Sequence, residues 1–210
     1  MKKLWIVIAA AGALVLDLDK AAADGLLNER TKIISVAYVS NVLGTVNPIS
    51  EIAALGHALG ATVVVDASQA VPQLAVNMAT LGADLVAFTG HKMVGPTGIG
   101  VLWGRYELLA QMPPFLGGGE MIHEVFHDRS TYKPVPYKFE AGTMQIAQQV
   151  GLGAAIDYLE ALGMDKVRAH EEEITRYALD QLLEAGATVY GPKDASIRGG
   201  AVSFWHKDVH

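Results

Sequence analysis

Phe88-Thr89-Gly90-His91-Lys92-Met93-Val94-Gly95-Pro96-Thr97-Gly98-Ile99-Gly100 sets a lysine between an apolar run and a glycine-rich reversal. Residues 84–88 read as a buried strand ending at Thr89, and residues 98–103 as the next strand. The glycines let backbone approach a ligand closely while the chain turns back. The spacing is not that of the nucleotide-hydrolase phosphate loop, Gly-x-x-x-x-Gly-Lys-Ser/Thr, nor that of the dinucleotide fingerprint. A solvated lysine on a turn is the plain alternative. Thr-Gly-His before it and Gly-Pro-Thr-Gly-x-Gly after it argue for a chemical role.

Upstream, residues 32–38 form a β-branched, apolar strand, followed by a polar loop over 39–46. Asn47 then reads as a helix cap with Pro48 at the first helical position, and the helix runs to about residue 59 with Gly60 as its stop. Residues 61–65 are a second strand, ending at Asp66. Strand, loop, helix, strand implies a mostly parallel sheet flanked by helices. Ligands in such sheets sit beyond the carboxyl ends of the strands. Asn41, Asp66 and Thr89-Gly90-His91-Lys92 occupy those ends. Asp66 taken alone reads equally well as a helix N-cap.

The rest of the chain is less specific. Residues 18–28 suggest a short helix, 111–137 an irregular stretch, 146–161 and 164–185 two helices, and 189–190 and 201–204 short strands. His57 falls near a helix end, where a surface or capping role is the simpler reading; His123, His127 and His170 have no catalytic context. Glu171-Glu172-Glu173 reads as a solvated helix face.

The chain has 210 residues, 51% of them hydrophobic and 18% charged, which suffices for a real core. Its net charge is −6 with no Lys/Arg cluster, which argues against nucleic acid as a partner. There is no cysteine, so disulfides, Cys-based zinc sites and a Cys nucleophile within these residues are excluded. No metal ligand set stands out. Met1-Lys2-Lys3 and the apolar residues 4–16 resemble a signal peptide, but residues 4–8 also read as a buried strand and the remainder reads as a cytoplasmic enzyme. No other apolar run approaches membrane-spanning length.

Asp66-Ala67-Ser68-Gln69 followed by Thr89-Gly90-His91-Lys92 resembles the cofactor signature of class V, fold-type I enzymes that use pyridoxal 5'-phosphate (PLP). Val39-Ser40-Asn41-Val42-Leu43-Gly44 is similar to the preceding loop of cysteine desulfurases. Gly117-Gly118-Gly119-Glu120-Met121-Ile122 and Phe139-Glu140-Ala141-Gly142-Thr143 resemble two further segments of the branch that includes selenocysteine lyases. The resemblance runs in order from about Trp5 to the end.

It implies an α/β fold: residues 1–145 as part of a PLP-binding large domain, 146–185 as connecting helices, and 186–210 as the start of a small C-terminal domain. It implies Lys92 as the Schiff-base lysine and proton carrier and Asp66 at the pyridine nitrogen. Gln69 is implied at the ring hydroxyl, Thr89 and His91 at the phosphate, and Asn41 near the cofactor oxygen and substrate carboxylate. Thr143 would reach the phosphate of a neighbouring subunit, hence a homodimer. The implied reaction converts L-cysteine to alanine and passes sulfur to an acceptor protein for iron–sulfur cluster assembly, in the cytoplasm and without a membrane.

Family members are longer. By resemblance, a phosphate loop and a ring-stacking histidine lie upstream, and a carboxylate-binding arginine and the sulfur-receiving cysteine lie downstream. The chain is therefore expected to be a fragment that binds PLP weakly and cannot complete desulfuration alone. Alternatives are another class V activity (selenocysteine lyase, aminotransferase or epimerase), a non-catalytic remnant that only dimerises or binds partners, and, more remotely, a secreted binding protein.

Overall fold

The computed structural model describes residues 5–9 and 25–207. Its centre is a five-stranded sheet in the order β1 (Trp5–Ala9), β2 (Thr31–Ala37), β3 (Thr62–Asp66), β4 (Leu85–Thr89), β5 (Gly100–Gly104). The first four strands are parallel and β5 is antiparallel to β4. Parallel neighbours need a crossover, which α1 (Ile49–Ala58) supplies between β2 and β3 and α2 (Met78–Leu81) between β3 and β4. β4 and β5 are joined by the glycine-rich turn, so they run antiparallel. Among the described residues β5 pairs with β4 alone, and its Val101 and Leu102 are exposed.

The core follows from strand alternation. Ile34, Val36, Val63, Val65 and Val86 point to one face and are almost fully buried. α1 covers them with Ile49, Ile52, Ala53 and Gly56. Burying each of these valines contributes about 1.5–3 kcal/mol. Gly56 is there for closeness: a Cβ on it would lie 2.7 Å from Val63 Cγ2. A second cluster joins Met93, Leu152 and Leu159, with Phe88 and Ile99 against it.

Most expected elements are present, with boundary shifts of a residue or two. The start of α1 differs. Pro48 is the cap residue and makes no side-chain bond, and the helix opens at Ile49. Buried Asn47 instead donates from Nδ2 to the Ala37 carbonyl at 2.7 Å, tying the end of β2 to the helix start. The chain reverses as expected at Gly60, φ +69°. Of the expected helix over 18–28, residues 18–24 lie outside the described residues, and 25–28 are turn and bend.

Residues 111–137 are not wholly irregular. They hold an antiparallel pair, β6 (Ile122–Val125) and β7 (Ser130–Tyr132). Both strands are short, polar and largely exposed, so they carry no apolar alternation to read. The short helix α3 (Tyr106–Gln111) precedes them. α4 (Ile146–Leu162) and α5 (Met164–Glu184) meet at Gly163, φ +85°. β8 (Thr188–Tyr190) and β9 (Ser203–Trp205) pair antiparallel. The glutamate run on α5 is less solvated than expected: Glu171 and Glu172 are half-buried, and Glu172 Oε1 lies 2.8 Å from Arg168 Nε. Among the described residues no helix is long and apolar enough to cross a membrane.

Candidate active site

β2, β3 and β4 end together at one edge of the sheet. Ala37, Asp66 and Ala87 are in register across the three strands. Alternation puts Asp66 on the face opposite Val63 and Val65, together with Ala37, Ala87 and, two residues on, Thr89. A carboxylate and the entry to the lysine turn therefore share one rim.

Asp66 is exposed. Its Oδ1 accepts from Ser68 N at 2.9 Å, an Asx turn, and no helix begins there. That replaces the helix-cap alternative and leaves Oδ2 without a hydrogen bond among the described residues. Gln69 follows in the same turn, half-buried, and its carbonyl accepts from Gln73 Nε2 at 2.8 Å.

β4 runs into a single 3-10 turn, Gly90–Lys92. The N–H groups of Met93 and Gly95 both donate to the Gly90 carbonyl at 3.0 Å, and Gly90 N donates to Ile99 O at 2.9 Å. A Cβ on Gly90 would meet Ile99 Cγ2 at 2.8 Å, so glycine is required for that approach. Met93 is buried against Leu152 and Leu159 and anchors the turn beside Lys92. Val94 holds φ +56°, a conformation that strains a β-branched residue.

Thr89 Oγ1 lies 2.9 Å from His91 Nδ1, and the His91 and Lys92 side chains are exposed. Among the described residues the Lys92 amine has no ion pair or hydrogen bond.

Asn41 sits exposed on the turn after β2. Buried Ser40 builds that turn: its Oγ accepts from Val42 N at 3.2 Å and Leu43 N at 2.9 Å. Gly44, φ +72°, closes it.

Thr143 lies in the segment that leads into α4. It lines a groove with Glu120, Lys133, Tyr137, Glu140 and Met144, just before α4. There Gly142 N donates to Gly119 O at 2.9 Å, bringing the Gly117–Gly119 and 139–143 segments together. Asn41, Asp66, Gln69, Thr89, His91 and Lys92 thus lie at the ends of β2, β3 and β4 or on the turns that follow them, and Thr143 lies on the segment before α4.

Sequence reasoning missed Gln73 and Arg198, which hold the turns around this rim. Gln73 lies four residues past Gln69, and Arg198 is a lone basic residue ahead of an apolar strand; each is a faint signal by itself.

The family model described as aminotransferase class-V matches residues 6–210. A probable cysteine desulfurase of Streptomyces coelicolor is 55% identical over 194 residues, covering 92% of this chain and 46% of that protein. A cysteine desulfurase of Haloferax volcanii is 50% identical, covering 92% and 45%. An apo cysteine desulfurase from Thermococcus onnurineus NA1 superposes with a TM-score of 0.88 at 35% identity, covering 97% of this chain and 50% of that one. The chain spans about half the length of the curated relatives it matches. The expected fold-type I α/β architecture is the one that solved structure has. With nearly every residue matched, the chain belongs to the class-V aminotransferase family.

Proposed function

We propose that this chain is the PLP-holding part of a cysteine desulfurase, with Lys92 as the residue that takes the cofactor. The observation that carries the reading is an exposed Lys92, without ion pair or hydrogen bond among the described residues, on the turn after β4, with an exposed Asp66 ending the neighbouring strand β3. The donor set fits the cofactor: an amine for an aldehyde, a carboxylate for a ring N–H, and a hydroxyl–imidazole pair for a phosphate.

PLP, when bound, supplies an aldehyde for amines and a ring that withdraws electrons from the substrate α-carbon. Asp66 holds the proton on the ring nitrogen. Thr89 and His91 donate to the phosphate, where charge-assisted bonds are strongest. Gln69 donates to the ring oxygen and Asn41 orients the substrate carboxylate. Lys92 moves the proton at the α-carbon of cysteine.

The same reading makes the protein a cytoplasmic homodimer, with Thr143 serving the partner's phosphate. The sulfur goes to an acceptor protein for iron–sulfur cluster assembly. Residues 1–145 belong to the large domain, 146–185 to connecting helices and 186–210 to the start of the small domain. No cysteine lies among these 210 residues, so the thiol that receives sulfur belongs to another segment or chain.

The test is chemical. The chain is incubated with excess PLP, reduced with borohydride and mapped by mass spectrometry. The expected result is weak binding with the pyridoxyl group on Lys92 and none on the Lys92→Ala variant. A label on another lysine overturns the assignment, and no label in a folded sample favours a non-catalytic role.

A further inference from the structure

The C-terminal segment crosses the rim and touches two of the turns that carry candidate site residues. Against the Asn41 turn, Gly199 N donates to Gly44 O at 2.7 Å, Val46 N donates to Ile197 O at 3.0 Å, and Ser203 Oγ donates to Val42 O at 2.5 Å. Thr45 and Arg198 form an isolated antiparallel bridge. The fit leaves no slack: a Cβ on Gly44 would lie 2.5 Å from the Ala201 carbonyl. Against the Gln69 turn, Gly200 N donates to Gln73 Oε1 at 3.1 Å, while Gln73 Nε2 holds the Gln69 carbonyl. A Cβ on Gly199 would meet Gln73 Oε1 at 2.7 Å.

The segment is itself braced from within and from α5. Arg198 is fully buried. Its Nε donates to Ala201 O at 3.0 Å, and its Nη1 donates to Tyr190 O at 3.0 Å and to Pro192 O. Among the described residues it makes no ion pair, and burial lowers its pKa below the ordinary guanidinium value. From α5, Arg168 donates to the carbonyls of Arg198, Ala195 and Ser196 at 2.8–3.1 Å. These bonds to backbone carbonyls hold the geometry of the segment, while Arg198 Nη2 is buried with no hydrogen-bond partner among the described residues.

We propose that residues 195–203 form a strap that sets the Asn41 and Gln69 turns relative to each other, with Arg198 and Gln73 as its positioning residues. The purpose assigned to the strap rests on the reading of Asn41 and Gln69 as cofactor contacts; its mechanics do not.

The experiment therefore has two readouts on the same variants, Arg198→Met and Gln73→Met. The first is hydrogen exchange of the chain without cofactor. Arg198→Met speeds exchange at the Gly199 and Val46 amides, which donate across the strap contact, by about tenfold or more, as loss of charge-assisted bonds implies, while the amides of Val63–Val65 keep their rates. Gln73→Met does the same at Gly200. A uniform rise across the chain means only lost stability and overturns the strap.

The second readout is the pH at which the absorbance band of added PLP changes. Arg198→Met shifts it in the same direction as Asn41→Ala, and the double variant shifts no further than Asn41→Ala alone. Additive shifts overturn the positioning role. A band that Asn41→Ala leaves unmoved removes the role of Asn41 and the strap's purpose with it. Absence of any band counts against Lys92, and exchange alone then decides whether the strap holds the two turns.

Discussion

His57 Nε2 lies 2.9 Å from Asp84 Oδ2, which ties α1 to the start of β4 at the end of the sheet away from the lysine turn. The same carboxylate accepts from the buried Val63 N at 2.7 Å and meets Arg105 Nε at 3.1 Å. One side chain thus joins a helix, two strands and the entry to α3. Removing it leaves a buried N–H without an acceptor, which costs about 1–3 kcal/mol on its own, besides the ionic contacts. Asp84→Ala should lose about 2–4 kcal/mol of unfolding free energy in urea. Borohydride labelling of Lys92 in the folded fraction should be unaffected.

Gly56→Ala sets two effects against each other. Alanine favours a helix over glycine by about 1 kcal/mol. The added methyl, however, would lie 2.7 Å from Val63 Cγ2 and 3.1 Å from Ile34 Cδ1. Overpacking of that kind costs about 1–3 kcal/mol, so the variant should be less stable on balance. A denaturation midpoint equal to or above that of the parent would show that α1 can shift outward.

Val94 is exposed and held at φ +56°, so its side chain contributes strain and little packing. Asparagine tolerates that conformation much better. Val94→Asn should raise unfolding free energy by about 1 kcal/mol, read from urea curves. A loss instead would mean that the valine methyl groups make contacts worth more than the strain.

Burial raises the pKa of Tyr38 above its ordinary value of 10.0. The unfolded chain therefore loses this proton first as pH rises, so folding is favoured below pH 10 and the contribution fades as pH climbs toward the folded value. Tyr38→Phe should flatten this part of the alkaline fall in stability. The check is the difference between the two unfolding free energies from pH 9 to pH 11, which should narrow upward in pH in favour of the variant.

The sheet was legible because its strands are runs of β-branched residues broken by glycine and polar loops. Thr31–Ala37, Thr62–Asp66 and Leu85–Thr89 all match such runs. Met78–Leu81 and Tyr106–Gln111 span one or two turns, too short for helical periodicity to emerge, and β6 and β7 lack an apolar face. Asn47 misled because its cap-like place before proline also suits a bridge to β2, and only tertiary contact separates the two. At the site, the residues that end strands were readable since strand ends and chemistry coincide. Gln73 and Arg198 were not: their partners are backbone carbonyls and amides, which any residue supplies, and the bond from Gly200 N to Gln73 Oε1 joins residues 127 positions apart.

β5 leaves one row of amides and carbonyls without a strand beside it among the described residues. Its sequence, Gly100-Val101-Leu102-Trp103-Gly104, carries no charge to discourage a newcomer. Such a bare flank invites adhesion between molecules in concentrated solution. Light scattering should accordingly rise with protein concentration, and Leu102→Lys, which puts an ammonium group on that flank, should suppress it.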